Sequence, residues 1–315
     1  MYRIGIDLGG TNIKVGIVNA EDEIIEKYSV KTMVERPYQE IIKDMGAAIF
    51  YVLEQAGILK EECVSIGIGS PGTVDAKNGV VLYSNNFNWE NIPLVAELKK
   101  YINLPIYISN DANCAALGET VAGAAKGCEN VILLTLGTGV GGGVVLGGKV
   151  FEGGHAGGAE LGHTVIVEGG ELCTCGRRGC LEGYASATAL IRDTRRAAKE
   201  NPQSIIMKLC NKELDEINGK TPFEAAELGD TIAQDVIDGY IMHLGIGITN
   251  MINIFRPDKV LLSGGICNQG EKLTNPLNDA VKGACFGGEK AFIASVERAK
   301  LGNDAGIIGA AALGE

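Results

Sequence analysis

The sequence has few aromatic residues, no long apolar run and no excess of positive charge. Only 5% of its 315 residues are aromatic, so stacking platforms for nucleic-acid bases are not expected. The net charge of −11 argues against a polyanionic partner such as DNA or an anionic membrane surface. Because no stretch of about 18 apolar residues occurs, we expect no transmembrane helix.

The N-terminal segment lacks the charged stretch followed by an apolar one that is typical of export signals. Its first residues, MYRIGIDLGG, enter a strand pattern at once. Six of the nine cysteines are scattered along the chain, as packing residues in a reducing compartment would be. We therefore expect a cytoplasmic protein.

Glycine, in contrast, is abundant at 45 residues, about twice the usual share, which implies tight turns and close backbone approaches. Strand and helix patterns alternate and predict an α/β fold with mixed sheets, and the length suits two lobes. The predicted strands are 2–8, 13–18, 23–30, 64–69, 104–108, 258–263 and 290–296, with a further hairpin at 131–146. The predicted helices are 38–57, 92–100, 110–122, 186–200, 230–255, 272–283 and a final one capped by Asp304.

The segment from Glu160 to Glu182 holds one histidine and three cysteines within eighteen positions. His163, Cys173, Cys175 and Cys180 form the ligand set of a closed structural zinc site. Two other interpretations are buried packing cysteines and a Cys-x-Cys redox pair. The many glycines beside the cysteines argue against the first, and the lack of a strand-helix redox context argues against the second. His155 is a less favoured fourth ligand. Glu160 and Glu182 bracket the site and could accept hydrogen bonds from a polyhydroxylated ligand, although either alone fits a solvated surface acid.

Two glycine-rich hairpins could aim backbone amides at phosphate groups. The first turn is Asp7-Leu-Gly-Gly-Thr-Asn12, and Asp7 would hold Mg²⁺ there. The second is the run 136–143, and a shift of 128 positions lays it over the first, which suggests an internal duplication. Each hairpin alone is equally consistent with an ordinary glycine turn. Together with Gly264-Gly265 they resemble the two phosphate elements and the adenosine element of the actin, heat-shock protein and hexokinase superfamily. The nucleotide-binding residues this implies are Asp7, Gly9, Gly10, Thr11, Asn12, Gly137, Thr138, Gly139, Gly141, Gly264 and Gly265.

Asn110-Asp111 lies where a predicted strand meets a predicted helix. A carboxylate there can accept the proton of a substrate hydroxyl while the neighbouring amide orients that hydroxyl. On the residues alone, the favoured interpretation of Asp111 is a helix cap.

The Glu160-Leu-Gly-His163 run, followed by Cys173-Thr-Cys-Gly-Arg-Arg-Gly-Cys-Leu-Glu182, resembles the signature of the ROK family of sugar kinases and sugar-responsive repressors. With the glycine hairpins, the resemblance covers almost the whole chain. It implies a two-lobed actin-like and hexokinase-like ATPase fold with a cleft between the lobes. We place the small lobe in residues 1–110, rejoined by the C-terminal helix 303–315, and the large lobe with the zinc site in residues 111–302.

The resemblance also implies an activity and residue roles. It points to an ATP-dependent hexose kinase with Mg²⁺ and structural Zn²⁺, most similar to bacterial glucokinases that phosphorylate the 6-hydroxyl of glucose. Asp111 would be the general base, and His163 would bind zinc through one ring nitrogen and sugar through the other. The sugar-binding residues it implies are Asn86, Asn110, Asp111, Glu160, His163 and Glu182. A homodimer or homotetramer is expected from the same resemblance.

Three alternatives stay open at this point. The kinase could prefer another hexose, such as N-acetylmannosamine, fructose or allose. A sugar-sensing repressor shares the zinc motif, but such repressors carry an N-terminal winged helix-turn-helix, and here the first hairpin begins at residue 3. A noncatalytic ATPase of the actin type would leave the zinc motif and its bracketing carboxylates unexplained.

Overall fold

The chain folds into a mixed α/β protein, as the alternation of strand and helix patterns predicts. The computed structural model describes residues 1–314. The strands are β1 (Tyr2–Leu8), β2 (Asn12–Val18), β3 (Ile24–Lys31), β4 (Cys63–Ser70), β5 (Thr73–Asp75), β6 (Val80–Ser84), β7 (Trp89–Ile92), β8 (Ile106–Asn110), β9 (Val131–Leu136), β10 (Val140–Leu146), β11 (Lys149–Val150), β12 (Lys259–Ser263) and β13 (Ser295–Arg298). The helices are α1 (Tyr38–Ala56), α2 (Leu94–Leu98), α3 (Asp111–Val121), α4 (Glu182–Ala185), α5 (Ala187–Glu200), α6 (Ile205–Leu209), α7 (Thr221–Glu227), α8 (Thr231–Phe255), α9 (Glu271–Ala284) and α10 (Ala305–Ala312). Among the described residues, no helix is both long and apolar enough to cross a bilayer.

The backbone divides into two compact units. Unit 1 comprises Met1–Leu133, Gly143–Ala159 and Ala299–Glu315. Unit 2 comprises Leu134–Gly142 and Glu160–Arg298. The C-terminal helix α10 therefore belongs with the N-terminal part of the chain. The functional lobes expected from the sequence, residues 1–110 with 303–315 and residues 111–302, stay a prediction.

Unit 1 is built on a five-stranded sheet with the order β3-β2-β1-β4-β8. The first three strands form an antiparallel meander, and β1, β4 and β8 run parallel. Their alternating isoleucines and valines pack with α1 into one buried core. The small-residue helix α10 lies directly against β1 and β4, because a Cβ at Gly5 or Gly67 would overlap a carbonyl oxygen of that helix. Glycine at these two positions is what allows so close an approach.

A small antiparallel sheet, β5-β6-β7, was not expected from the sequence. Between the strands predicted at 64–69 and 104–108, the sequence analysis predicted only a helix over 92–100. The strands have only three to five residues each, too few for an alternation pattern to stand out. Pro93 immediately precedes α2, so the predicted helix begins two residues late and ends at Leu98.

A second five-stranded sheet has the order β11-β10-β9-β12-β13. The hairpin predicted at 131–146 is confirmed as β9 and β10. In both sheets a hairpin, β1–β2 or β9–β10, is extended on one side by the next strand, β3 or β11, and on the other side by two later strands. This shared order agrees with the suggested duplication. The strand predicted over 290–296 is misplaced, because Gly288–Lys290 forms a 3-10 turn and β13 covers Ser295–Arg298.

The sequence analysis missed three helices of unit 2, which are α4, α6 and α7. Residues 201–222, for which it predicted no helix or strand, contain α6 and the beginning of α7. The apolar residues Ile206, Cys210 and Ile217 from this stretch are buried in a small core with Ala225 and Ala233. They are spaced among many polar residues, which hides the short helical turns that carry them.

Candidate active site

The carboxyl ends of three parallel strands in unit 1 bring together residues that the sequence singled out separately. Asp7 on β1 pairs in register with Gly69 on β4, and Gly69 pairs with Ser109 on β8. Two inter-strand steps correspond to about 10 Å between Asp7 and Ser109. Ligands of α/β sheets bind beyond this edge of the strands. Asp7 and the Asn110-Asp111 pair therefore face the same end of the sheet.

The first glycine hairpin is held by a hydrogen bond within its own turn and by another from the residue that follows β3. The Gly9 N–H donates to the Asn12 carbonyl at 3.0 Å, and the buried Thr32 hydroxyl donates to the Gly9 carbonyl at 2.6 Å. A Cβ at Gly10 would lie 3.7 Å from Asn86 Nδ2. The structure thus places Asn86, a predicted sugar contact, beside the predicted phosphate loop. Thr32 is a supporting residue that the sequence analysis missed.

Asp7 has a cationic partner that was also missed. Lys14 Nζ lies 2.9 Å from Asp7 Oδ2, and the two residues are directly opposite each other in the β1–β2 register. Once the hairpin was predicted, counting back from its turn would have found this pair. Asp7 also packs against α10, where a Cβ at Gly306 would lie 3.0 Å from the carboxyl carbon. The carboxylate is therefore fixed at the end of β1.

The cap of α3 is Asn110 rather than Asp111, which corrects the interpretation drawn from the residues alone. Asn110 Oδ1 accepts from the Ala112 and Asn113 N–H groups at 2.8 and 3.4 Å, and its Nδ2 donates to the Gly72 carbonyl at 3.0 Å. Asp111 therefore occupies the first turn of the helix and is half-buried. The N-terminus of a helix stabilises negative charge. This position suits a carboxylate that acts as a base.

The surroundings of one buried thiol, Cys114, include three acidic groups of this region. Burial first, and then the negative charges of Asp111, Asp7 and Glu152, raise the pKa of the Cys114 thiol. Cys114 is fully buried and stays protonated, so it is a packing residue and not a nucleophile. Glu152 was not predicted as a site residue. Its Oε1 accepts from the Ser109 hydroxyl at 2.6 Å, which ties the segment after β11 to the end of β8.

In unit 2 the four predicted metal ligands converge. The ligand atoms of His163, Cys173, Cys175 and Cys180 all lie within 4.8 Å of one another. The separation is 3.5 Å between His163 Nδ1 and Cys173 Sγ, and 3.7 Å between the sulfurs of Cys175 and Cys180. Tetrahedral zinc with sulfur at about 2.3 Å sets its ligand atoms about 3.8 Å apart. The donor set and spacing therefore fit zinc, with Nδ1 of His163 facing the metal, and the set is complete without the exposed His155.

Tight turns shape this metal clip, by which we mean residues 163–180. Gly176 and Gly179 have φ of 84° and 83°, a left-handed conformation that glycine adopts most readily. The Cys173 N–H donates to the Arg177 carbonyl at 2.8 Å and closes the turn between the cysteines. The backbone N–H of Arg177 hydrogen-bonds to the Cys175 sulfur and lowers the pKa of that thiol.

Glu182 connects the metal clip to the second glycine hairpin. Its Oε1 accepts from the Thr174 hydroxyl at 2.5 Å, and its Oε2 accepts from the Val140 N–H at 3.1 Å. A Cβ at Gly139 would overlap the same carboxylate, so the loop lies in close contact with Glu182. Glu160, in contrast, is exposed, and its carbonyl accepts from the His163 N–H at 3.1 Å.

The second hairpin is also bound to α5 and to the turn after β12. The Ala187 N–H donates to the Gly137 carbonyl, and the Thr188 hydroxyl donates to the Thr138 carbonyl, both at 2.8 Å. Gly264 has φ of 106°, and a Cβ there would overlap the Leu136 carbonyl. The structure thus brings the predicted second phosphate loop and the predicted adenosine element together. Gly141, on β10, belongs to the same loop.

Known proteins are similar to this chain over almost its whole length. The chain is 40% identical to a glucokinase from Thermotoga maritima over 313 residues, which cover 98% of this chain and 96% of that protein. A ROK family glucokinase from Streptomyces griseus, solved in complex with glucose and AMPPNP, has a TM-score of 0.80 and 36% identity over 99% of both chains. A ROK hexokinase from Thermus thermophilus has a TM-score of 0.82 and 32% identity, covering 99% of this chain and 97% of its own.

These likenesses confirm the predicted fold class, which is the hexokinase-like ATPase fold of ROK sugar kinases. The profile of the ROK family matches residues 3–315, so the match extends over nearly all of the chain, including the glycine hairpins, the Asn110-Asp111 pair and the metal clip. The chain belongs to the ROK family.

Proposed function

We propose that this protein is an ATP-dependent hexose kinase that transfers phosphate to the 6-hydroxyl of glucose. The observation that carries the proposal is the position of Asp111, a carboxylate in the first turn of α3 at the same sheet edge as Asp7 and the first glycine hairpin. A base next to a phosphate-binding turn is what transfer to an alcohol requires. The 40% identity to a glucokinase favours glucose as the alcohol.

The nucleotide is assigned to the two glycine hairpins and the turn after β12. In the turns 9–12 and 137–141, backbone N–H groups such as those of Gly10, Thr11, Thr138 and Gly139 would donate to phosphate oxygens, while Gly264 and Gly265 would lie at the nucleoside. Asp7 would hold Mg²⁺, since a hard cation prefers carboxylate oxygen. Lys14, 2.9 Å from Asp7, adds positive charge at the same place. Donors fixed before the reaction stabilise the charge that develops on the transferred group.

The sugar is assigned to residues of the ROK signature and of the first unit. Asp111 would take the proton of the 6-hydroxyl as that oxygen attacks the γ-phosphorus. Asn110 holds α3 in place through its cap and would use its remaining Nδ2 hydrogen on the sugar. The further proposed sugar contacts are Asn86, Glu160, His163 and Glu182.

Zinc would be held by Nδ1 of His163 and by the sulfurs of Cys173, Cys175 and Cys180. The metal supplies a crosslink and takes no part in the transfer. Because Nδ1 faces the cysteines, Nε2 is the ring nitrogen that can face a sugar hydroxyl. The cytoplasmic location and the homodimer or homotetramer stay predictions.

A sugar panel tests the proposal. Purified protein with MgATP is given glucose, N-acetylmannosamine, fructose or allose in turn, and ADP release is measured against a reaction without sugar. We expect release with glucose at the highest kcat/KM. A higher kcat/KM with another hexose would change the assigned substrate but not the assigned reaction. Release that no sugar stimulates would overturn the kinase assignment.

A further inference from the structure

A short loop of unit 1, residues 152–158, follows β11 and has no role so far. Its two ends meet, because the Gly158 N–H donates to the Glu152 carbonyl at 3.1 Å. The residues between these ends are Gly-Gly-His-Ala-Gly, and the one long side chain among them, His155, is exposed. Because the loop has so few side chains that could hold it, its position depends on how its base is anchored.

The base of the loop is anchored by the side chain of Glu152. Its Oε1 accepts from the Ser109 hydroxyl at 2.6 Å. Ser109 is fully buried at the end of β8, and Glu152 is half-buried. A short hydrogen bond from a hydroxyl to a carboxylate is stronger than one between neutral groups. Because Ser109 directly precedes Asn110-Asp111, this bond restrains the backbone that carries the proposed base.

The loop also contacts the strand on the other side of Asn110. A Cβ at Gly157 would lie 2.9 Å from Thr73 Cγ2, so the backbone of the loop packs against the beginning of β5. Thr73 follows Gly72, whose carbonyl accepts from Asn110 Nδ2 at 3.0 Å. The side chain that caps α3 therefore lies between two segments, and the loop contacts both of them.

The backbone at the end of the loop is held in an unfavourable conformation. Ala156 and Ala159 have φ of 65° and 66°, in the left-handed region that is unfavourable for a residue with a Cβ. Such backbone persists where its surroundings hold it, and it is common at functional sites. Ala159 is followed by Glu160, a proposed sugar contact. An anchor at Glu152 would help to keep this conformation.

We propose that Glu152 is a positioning residue for the sugar in the phosphoryl transfer. Its carboxylate fixes the end of β8, and thereby Asn110 and Asp111, while its carbonyl closes the loop that leads to Glu160. Glu152 does not contact the sugar in this proposal but acts through Ser109. The proposal rests on the proposed function, because it assigns Glu152 to the sugar side of that reaction.

The test compares the two substrates in variants of the Ser109–Glu152 pair. Dissociation constants for glucose, and for ADP with Mg²⁺, are measured by calorimetry, and kcat is measured at saturating glucose and ATP. The variants are Glu152→Ala, Glu152→Gln, Ser109→Ala and the double variant Ser109→Ala/Glu152→Ala. Glu54→Ala, which removes an exposed acid of α1, is the matched control. Thermal melting shows whether each variant is folded.

Glu152→Ala should raise the Kd of glucose about 3- to 10-fold and lower kcat, while the Kd of ADP changes by less than about twofold. Glu152→Gln should keep most of the glucose affinity, because its amide oxygen can still accept from the Ser109 hydroxyl. Ser109→Ala should match Glu152→Ala. The double variant should bind glucose no more weakly than either single variant, because both substitutions remove the same hydrogen bond.

Unchanged glucose affinity in Glu152→Ala, or equal weakening of glucose and ADP binding, would overturn the proposal. Additive losses in the double variant, or no recovery in Glu152→Gln, would also overturn it. If Glu152→Ala does not fold, the same comparison of glucose with ADP in Ser109→Ala decides the question. A wild type that transfers no phosphate to glucose would instead refute the proposed function, whereas an active wild type with unaffected variants would refute only the role of Glu152.

Discussion

The carboxylate of Glu182 binds both the metal clip and the second glycine hairpin. Its two oxygens accept from the Thr174 hydroxyl at 2.5 Å and the Val140 N–H at 3.1 Å. Hydrogen bonds to a charged group contribute about 1.5–3 kcal/mol each when buried. Glu182 is half-buried, so solvent screening reduces this, and we expect Glu182→Ala to lower the free energy of unfolding by about 2 kcal/mol.

The same substitution should weaken nucleotide binding, because the Val140 N–H loses the carboxylate that fixes it within the proposed phosphate loop. A loss of about 1–2 kcal/mol corresponds to a 5- to 30-fold rise in the KM for ATP. Initial rates at varied ATP and saturating glucose measure it, and chemical denaturation measures the stability. Glu168→Ala, an exposed acid in the same clip, is the control and should change neither value by more than about twofold or 0.5 kcal/mol.

A role in sugar binding alone would give a different pattern. In that case the KM for glucose would rise in Glu182→Ala while the KM for ATP and the unfolding free energy stayed at wild-type values. That result would refute the argument that Glu182 links the clip to the hairpin. A rise in both KM values would be consistent with the two roles together.

Three further predictions concern the metal, a buried carboxylate and a close helix contact. We expect elemental analysis to find one zinc per chain and chelation to lower the melting temperature. Cys175→Ser should lose the zinc, whereas Cys128→Ser, which lies outside the cluster, should retain it. A protein that contains no metal and whose melting temperature does not change with chelators would contradict this prediction. Burial acts to raise the pKa of Asp230, but hydrogen bonds from Ser204, Ala233 and Ile205 outweigh it and lower the pKa, so Asp230→Ala should cost about 1–2 kcal/mol at neutral pH. The difference in unfolding free energy between the wild type and Asp230→Ala should shrink as the pH falls below about 4 towards the folded-state pKa of Asp230. A difference that does not depend on pH would refute this prediction. Gly309→Ala should destabilise the folded protein by about 1–3 kcal/mol, because the added Cβ would overlap the Cys114 carbonyl. Gly283→Ala, in open space within α9, should not destabilise it. Equal melting temperatures of the two variants would contradict the packing argument.

Much of the fold could be predicted because its local signals agree with its tertiary structure. The helix predicted over 38–57 is α1, and it ends at Gly57 with φ of 67° as a glycine cap should. The hairpin around Gly9-Gly10 is confirmed within one residue of the predicted bounds. Long amphipathic or strongly β-branched segments carry enough residues for periodicity to be unambiguous.

Other elements depend on contacts that the sequence does not show. Asp304 was predicted to cap the last helix, and it occupies that position, yet its carboxylate pairs with Lys27 at 2.7 Å and makes no capping bond. Trp89–Ile92 is a strand only because β6 lies beside it. Such short elements are determined by distant partners, so local propensity does not reveal them.

Some residues of the candidate site could likewise be predicted from the sequence, and others could not. The metal ligands could be predicted because four soft donors with close spacing leave few alternatives, and the structure brings them together. The supporting residues Thr32, Glu152 and Thr174 could not, since a hydroxyl or a carboxylate carries no sequence signal of what it will contact after folding. Lys14 is an intermediate case, because it follows from the hairpin register.

The central claim is that Asp111 removes the proton from the sugar hydroxyl that attacks ATP. The most direct test measures turnover and glucose affinity side by side in the wild type and in Asp111→Ala, with ³¹P NMR of the product to identify the phosphorylated oxygen. We predict glucose 6-phosphate from the wild type, and in Asp111→Ala a fall in kcat of about 10²- to 10⁴-fold with glucose binding still measurable. Near-normal turnover in Asp111→Ala, or phosphate on another oxygen, would contradict the account.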